Sequence, residues 1–499
     1  MNARQPIQPS DQPPVLAVAF STNSHRFIAG LTTGIRSFRT DNCLTTNQPE
    51  LPRSGGVAVV AQHDDRYMAY VAGGRTPAGK TTEVIFWDAE RDCEVQRYDF
   101  HEEVLGLRLN ETWMVVILRE RTIVFRYQEL PPAKLPMTSP DEADAAEEIV
   151  TKGPNIVHAL YPTASNDHAL ASLRTNTLVL PATTPGQVQL IPLEGGSKRV
   201  VRAHDSSIRA LTLSSDGTAL ATASEQGTLF RIYSTSTLSQ LHEVRRGTDK
   251  ADIFDLALSP KNKWLAATSD KGTLHLFDLR PAAVLDEEGQ VIGYSRPSSS
   301  SHRKSNSYAT PHHHRLSAGN PPSSNSSGPN SAPTATGTAA TNQGSVQEYY
   351  SLRPVPPSAS SPPARVGISA IAALKASPFA PKVFKDIRSV ASAAFFMGEE
   401  TEAWQGGVVP RTTKAVKVRV SAPALPGTPS GRPPRGTLAF DGAFADGNED
   451  EGARVYVIGG GLEARWEVFD VVQTEGQFGL GWALVKRGFR RFLERQFVD

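Results

Sequence analysis

The strongest constraint on the fold is a unit that recurs along the chain up to about residue 280. Each copy reads as an apolar strand, a polar turn, a strand rich in small residues, a second turn and another apolar strand. The clearest copies are LSSDGTALATASEQGTLFRIYST from Leu213 and LSPKNKWLAATSDKGTLHLFDL from Leu258. Fainter copies begin near residues 19, 61, 107 and 161. The spacing is about 43 to 54 residues, at or above the period at which four short strands form one propeller blade.

A propeller is the fold that best satisfies such a repeat. One four-stranded sheet cannot bury both faces, whereas blades packed around an axis bury them against each other. The turns agree, because SSDG and DKG contain glycine where positive φ is expected. The apolar segments near 413–422 and 454–472 supply a seventh unit. The sequence therefore predicts an all-β, WD40-like, seven-bladed β-propeller, with blades one to six within residues 13–280.

The composition changes sharply after blade six. Residues 281–365 are rich in Ser, Pro, Asn, Thr and Ala, and such a segment cannot bury enough surface to offset its ordering entropy. Apolar residues at roughly helical spacing follow at 366–385, with lysines between them, which suits an interfacial amphipathic element. We therefore expect a long disordered and amphipathic loop at 281–386 within blade six. The chain should return near 386–396 as the outer strand of that blade, and 387–475 should complete blades six and seven.

The two ends of the chain read differently. Residues 1–12 are polar and proline-rich, so we expect disorder there, and they lack the apolar stretch of a secretory signal. Residues 476–499 mix phenylalanines with lysine and arginine. Their pattern indicates a basic amphipathic helix, which either lies on a membrane or packs on the propeller.

Charge and cysteine content exclude several classes of function. Lys and Arg total 52 and Asp and Glu total 51, so the net charge of +1 argues against a nucleic-acid-binding protein. The two cysteines, Cys43 and Cys93, show neither disulfide nor zinc spacing, which fits a reducing compartment. The sequence contains no run of about 18 apolar residues, so no membrane span is predicted. We expect no metal and no cofactor.

The segment HEVRRGTDK sets Arg245 and Arg246 side by side, followed by Gly247, at the end of a predicted strand. Successive side chains of an extended strand point to opposite faces, so the two guanidinium groups should face two different crevices between blades. Small hydroxyls and glycines surround both positions in the repeat. Hydroxyls donate hydrogen bonds, glycine permits close backbone approach, and arginine adds bidentate charge-assisted bonds. The pattern indicates two neighbouring phosphate sites.

The stretch EVRRGTD, preceded by TASEQGTLFRIY and followed by ATSDKGTLHLFDL, resembles the PROPPIN family. These are seven-bladed, WD-repeat-like propellers that bind phosphoinositides and act in autophagy. The resemblance covers roughly 13–280 and the closing strands and is strongest over 200–280. Val244 stands where the family has an aromatic residue or leucine, and Thr222 stands where serine is frequent.

The resemblance implies two lipid-binding sites and no catalysis. Site one falls on His204, Thr222, Ser224, Gly227, Thr228, Arg231 and Arg245. Site two falls on Arg246, Gly247, Ser269, Thr273 and His275. The implied ligands are phosphatidylinositol 3-phosphate and 3,5-bisphosphate, with the 281–386 loop as the membrane-inserting element.

The implied setting is a monomeric cytoplasmic protein, peripheral on preautophagosomal, vacuolar and endosomal membranes. It would scaffold autophagosome formation, with selective autophagy of the nucleus as one form. The implied protein partner is the large autophagic lipid-transfer protein.

Several alternatives stay open at the level of sequence. A WD-repeat protein-interaction scaffold without lipid binding would share the fold. A propeller enzyme would need acid and base groups that converge on the central channel, and the repeats show no such set of residues. His204 and His275 each have a structural alternative as members of hydrogen-bond networks. The histidines at 312–314 read as an incidental polar tract, and VIGGGLEAR reads as a strand turn rather than a nucleotide loop.

Overall fold

The structure is a computed structural model, and it describes residues 12–63, 66–130, 151–280, 283–285, 291–294, 387–398, 425–428, 430–442, 452–476 and 479–493. The chain divides into two compact units. One unit comprises Met1–Ser299 and Lys385–Asp499 and contains every strand given below, and the other, Ser300–Phe384, lies outside the described residues. The predictions for the N-terminus up to residue 11, the amphipathic part of the loop at 366–385 and the segment 413–422 also lie outside them.

The first four blades are antiparallel sheets of four strands each. Blade one contains β1 (Val15–Phe20), β2 (Arg26–Leu31), β3 (Gly34–Arg39) and β4 (Thr45–Asn47). Blade two contains β5 (Val57–Gln62), β6 (Tyr67–Ala72), β7 (Glu83–Asp88) and β8 (Cys93–Asp99). Blade three contains β9 (Gly106–Leu109), β10 (Trp113–Ile117), β11 (Arg121–Leu130) and β12 (Thr151–Pro162). Blade four contains β13 (Ser172–Arg174), β14 (Thr177–Pro181), β15 (Gln187–Pro192) and β16 (Arg199–Arg202).

Blades five and six begin as predicted from the two clearest repeats. Blade five contains β17 (Ile208–Leu213), β18 (Ala219–Ser224), β19 (Leu229–Ser234) and β20 (Gln240–Arg245). Blade six begins with β21 (Ile253–Leu258), β22 (Trp264–Ser269) and β23 (Thr273–Asp278). All six residues of β18 and of β22 are buried. Apart from Trp264 and the leucines, ALATAS and WLAATS contain only small side chains, which fit because these middle strands are covered on both faces by neighbouring blades.

The insertion interrupts blade six, as predicted. At its start, β24 (Ala283–Leu285) and β25 (Val291–Tyr294) pair as a short antiparallel hairpin that the composition did not predict. The chain returns as β26 (Ile387–Arg388) and β27 (Ala391–Ala394). β27 pairs with β23 as the outer strand of blade six, which confirms the predicted return near 386–396.

Blade seven differs from the prediction in its boundaries. It contains β28 (Thr437–Phe440), β29 (Gly452–Ile458), β30 (Arg465–Gly476) and β31 (Gly479–Arg491). Residues 479–491 are therefore the outer strand of blade seven rather than a basic amphipathic helix, and the blade extends beyond residue 475. β31 pairs with β30 along its length, with a bulge opposite Val468 and Phe469. From Val485 onward most residues of this outer strand are exposed, which accounts for its basic side chains.

Seven blades complete a ring, and the predicted seven-bladed β-propeller is confirmed. Hydrophobic clusters fill the spaces between neighbouring blades rather than a single centre. Blades five and six share one cluster that includes Phe230, Val244 and Phe277, whereas blades six and seven share another around Leu274, Leu276 and Phe469. These clusters fix which side chains of each strand face which neighbouring blade.

Candidate functional site

The two predicted sites lie on opposite sides of β20. Val244 is fully buried in the cluster shared with blade six. Alternation therefore turns its neighbours Glu243 and Arg245 toward blade four. Arg246 lies beyond the strand end and contributes to lowering the pKa of His275 in blade six. The two arginines thus face different crevices, as the sequence predicted.

The inner part of site one is a closed hydrogen-bond network. The His204 Nε2 atom lies 3.0 Å from the Thr222 Oγ1 atom, and that hydroxyl donates to the backbone carbonyl of Arg231 over 3.2 Å. The Arg231 guanidinium donates to Glu243 over 2.8 Å and to the carbonyl of Ala203 over 2.6 Å. Burial, with a smaller contribution from Arg231, lowers the pKa of His204 to about 4, so its ring is neutral at physiological pH. His204 and Arg231 therefore brace this pocket wall through protein contacts.

The outer part of site one is a tight turn beside the strand ends. The Gly227 amide donates to the Ser224 carbonyl over 2.9 Å. Gly227 has φ +60, and a Cβ there would lie 2.0 Å from the Ala251 carbonyl oxygen, so only glycine fits. The Thr228 carbonyl accepts the amide of Arg246, so Thr228 lies beside Arg246 rather than beside Arg245. Arg245 is the cross-strand partner of Leu229, and it is half-buried.

Site two begins with Arg246, whose guanidinium is oriented by backbone carbonyls. Its Nε atom donates to the Gly227 carbonyl over 2.7 Å, and a second nitrogen donates to the carbonyl of Asp249. Partial burial lowers the pKa of Arg246. Gly247 is open, because nothing lies within 4 Å of the position that its Cβ would take. This strand end offers a cation and an unobstructed glycine next to blade six.

Blade six provides the opposite wall of site two. The Thr273 Oγ1 atom lies 3.2 Å from the His275 Nε2 atom, and burial lowers the pKa of His275 to about 4. Ser269 is 1% exposed, and its buried Oγ atom makes no hydrogen bond to any described residue. A buried hydroxyl without a partner costs about 1–3 kcal/mol. Of the predicted site residues, Ser269 is the one whose buried side-chain oxygen lacks a hydrogen-bond partner among the described residues.

Blade six repeats the turn of blade five but not its arginine. Ser269 and Gly272 form the same amide-to-carbonyl turn as Ser224 and Gly227, over 3.0 Å. However, Thr273, the first residue of β23, pairs with Ala394, whereas Leu229, the first residue of β19, pairs with Arg245. Blade six thus has alanine where blade five has arginine, so the cationic pattern occurs on the two sides of β20 and is not repeated at this position.

Two residues near the sites carried no signal in the sequence. Arg388 lies directly opposite Arg245 in a parallel pairing of β26 with β20. The Ser389 Oγ atom lies 3.4 Å from the His275 Nδ1 atom. Both residues follow the insertion, so only the folded sheet shows that they are neighbours of the two sites.

Comparisons with known proteins agree with this architecture. The family model described as PROPPIN matches residues 151–295. Over 403 residues the chain is 32% identical to SVP1-like protein 2 of Emericella nidulans, covering 81% of this chain and 90% of that protein.

The chain belongs to the PROPPIN family. A second relative, Autophagy-related protein 18e of Arabidopsis thaliana, is 30% identical over 271 residues, covering 54% of this chain and 66% of that protein. The solved structure of Kluyveromyces lactis Hsv2 superposes with a TM-score of 0.52 at 14% identity, covering 96% of this PROPPIN and 99% of that chain. At that identity the superposition supports the propeller fold alone.

No described helix has the length and hydropathy needed to cross a bilayer. No group of three or more His, Cys, Asp and Glu residues in the described ranges could hold a metal ion.

Proposed function

We propose that this PROPPIN is a peripheral membrane protein that binds phosphatidylinositol 3-phosphate and 3,5-bisphosphate through site one and site two. The observation that carries the proposal is the division of Arg245 and Arg246 between two crevices, each lined by hydroxyls and a glycine turn. A guanidinium group only donates hydrogen bonds, and a hydroxyl can donate one. A phosphate monoester offers oxygen acceptors and up to two negative charges to both groups.

The unsatisfied Ser269 hydroxyl supports a ligand in site two in particular. A phosphate oxygen accepting from Ser269 would remove the cost of its burial. The neutral rings of His204 and His275 favour a positioning role, because each already contacts a threonine hydroxyl. The charge that attracts the lipid then comes from the arginines.

Two shallow sites on one rim act together on a membrane. Each phosphate contact alone is weak, but the second is made at high effective concentration once the first has formed. By family resemblance, the 281–386 loop adds membrane insertion, and the autophagic lipid-transfer protein is the protein partner. We assign the scaffold to autophagosome formation, selective autophagy of the nucleus and vacuolar and endosomal membranes, without catalysis. The name of the Arabidopsis relative supports the autophagic assignment.

The test is flotation of the full chain with vesicles that contain or lack phosphatidylinositol 3-phosphate. Arg245→Thr combined with Arg246→Thr should abolish the lipid-dependent flotation while circular dichroism and thermal unfolding show a folded propeller. The matched control is Arg119→Thr with Arg121→Thr, which removes the same charge from exposed ion pairs with Asp167 and Glu102. Equal flotation of both double variants and the wild type would refute the proposal and favour a protein-interaction scaffold.

A further inference from the structure

The segment that returns from the insertion crosses between two blades. β26 pairs in parallel with β20 at the edge of blade five, matching Val244 with Ile387 and Arg245 with Arg388. Immediately afterwards, β27 pairs antiparallel with β23 of blade six. The Val390 amide donates to the Leu276 carbonyl over 2.8 Å where the chain crosses. Blade five is thereby extended to five strands.

The register of β26 determines which way Arg388 faces. Residues paired on neighbouring strands project from the same face of the sheet. Val244 and Ile387 share the face toward blade six, so Arg245 and Arg388 share the opposite face, toward blade four. Arg388 is exposed at the outer edge of that face. It therefore extends the face that carries Thr222, Arg231 and Arg245 in site one.

Two cations in register on neighbouring strands repel each other. An anion that contacts both guanidinium groups offsets this repulsion, and a phosphate monoester has enough oxygens for two arginines. Phosphate in site one would then stabilise the pairing of β26 with β20. The short length of β26, two residues, makes its docking sensitive to such a contribution.

The same segment also approaches site two. Ser389 contacts one ring nitrogen of His275, while Thr273 contacts the other. Ser392 is the cross-strand partner of His275 and is exposed, so its hydroxyl lies on the face of β27 that looks into the five–six crevice. The hydroxyls of Ser389 and Ser392 thus flank the imidazole along the wall of site two.

We propose that residues 388–392 complete both phosphate sites, with Arg388 as a second arginine of site one and Ser389 and Ser392 as hydroxyl donors of site two. This inference rests on the proposed function and adds a linkage to it. Phosphate binding stabilises the docking of the insertion's returning end, and by reciprocity, docking of that end tightens phosphate binding. The lipid signal is thereby coupled to the pairing of β26 with β20.

The test compares Arg388→Ala, Arg388→Lys and the wild type in the full chain, with exposed Arg119→Ala as the charge-matched control. Each protein is titrated with vesicles containing phosphatidylinositol 3-phosphate and, separately, with free inositol 1,3-bisphosphate, the soluble head group. Arg388→Ala should weaken vesicle binding, and head-group binding at site one, by about tenfold, the size of one lost charge-assisted contact. Arg388→Lys should recover part of the loss, because it keeps the charge but not the bidentate geometry.

Hydrogen exchange tests the linkage directly. Free inositol 1,3-bisphosphate should slow amide exchange in the peptide covering residues 387–394 of the wild type, and this protection should be reduced in Arg388→Ala. In an Arg245→Thr background, where only site two remains, Ser389→Ala with Ser392→Ala should weaken head-group binding further.

The outcomes separate this inference from the function on which it rests. A wild type that binds neither vesicles nor head group refutes both. Normal head-group binding by Arg388→Ala, beside a wild type that binds, refutes this inference alone. Weakened vesicle binding with normal head-group binding would make Arg388 a general bilayer contact and exclude it from site one. Unchanged exchange at 387–394 would refute the linkage.

Discussion

The indole nitrogen of Trp466 in blade seven donates to the backbone carbonyl of Thr40 in blade one over 2.9 Å. The contact joins the two ends of the ring. Beside it, the Val15 and Gly461 backbones exchange hydrogen bonds of 3.0 and 2.8 Å. The ring of Phe492, just after β31, packs edge-on against Phe27. Blade seven therefore closes the propeller through both backbone and side-chain contacts.

Phe492→Ala should destabilise the propeller more than a substitution elsewhere on the same strand end. Phe492 is 4% exposed and contacts both Phe27 and Phe38, so its loss leaves a cavity at the closure. The free energy of unfolding should fall by about 3–5 kcal/mol, measured by urea denaturation. The control, Phe489→Ala, removes the same ring from a position that is 53% exposed and should cost about 1 kcal/mol or less. Equal losses would show that Phe492 does not close the ring.

Gly227→Ala and Gly247→Ala should separate a folding role from a ligand role. At Gly227, φ is positive and a Cβ would collide with the Ala251 carbonyl. The free energy of unfolding of Gly227→Ala should therefore fall by about 2–4 kcal/mol. A Cβ at Gly247 meets nothing within 4 Å, so thermal unfolding should change little. Vesicle flotation should nevertheless weaken in Gly247→Ala, because the methyl group limits backbone approach to phosphate. Normal flotation by a stable Gly247→Ala would remove Gly247 from site two.

The repeat predicted the fold because each blade carries its own local signature. Strand, turn and glycine recur within one blade, so blades five and six and the return of the chain near β27 could be read from the sequence. Blade seven was harder, since its innermost strand at Thr437–Phe440 has only four residues and follows the long insertion. The Phe and Arg spacing of 486–493 also fits a helix, and only the pairing of β31 with β30 makes it a strand.

The sites were predictable to the extent that they are local. Arg245, Arg246 and the hydroxyl turns lie within the repeats, so alternation alone separated the two arginines. The position of Thr228 beside Arg246 depends on the register of β19 with β20, which the sequence does not specify. Arg388 depends on a parallel pairing between segments that are distant in the chain. Such a contact leaves no periodic pattern.

Stability should fall as the pH decreases from about 6.5 to about 4. Burial lowers the pKa of His204 to about 4, whereas an unfolded histidine takes up its proton near pH 6.5. Between these values the unfolded chain binds more protons, so the folded state loses stability as the pH falls and keeps all of this contribution above about pH 6.5. His168 and His275 share the direction, each with a pKa lowered to about 4 chiefly by burial.

His204→Gln isolates one part of this effect in thermal unfolding measured from pH 7.5 to pH 5. The variant should be less stable at pH 7.5, because the contact with Thr222 changes, yet it should lose less stability on acidification than the wild type. His101→Gln, at a side chain that is 91% exposed, is the control and should follow the wild-type slope. An unchanged slope in His204→Gln would contradict the assignment of a neutral, buried His204.

Single substitutions of the two arginines should each disable one site and spare the other. Calorimetry with free inositol 1,3-bisphosphate should give two binding events per wild-type chain and one for either Arg245→Thr or Arg246→Thr. Vesicle affinity should fall by about 100-fold or more in each single variant, because the avidity of paired sites is lost. Arg246→Thr should also lower the free energy of unfolding by about 1–2 kcal/mol, since its guanidinium holds the carbonyls of Gly227 and Asp249. If one variant kept both binding events, phosphate binding would not require that arginine. The placement of the two arginines in two crevices would then not correspond to two binding sites.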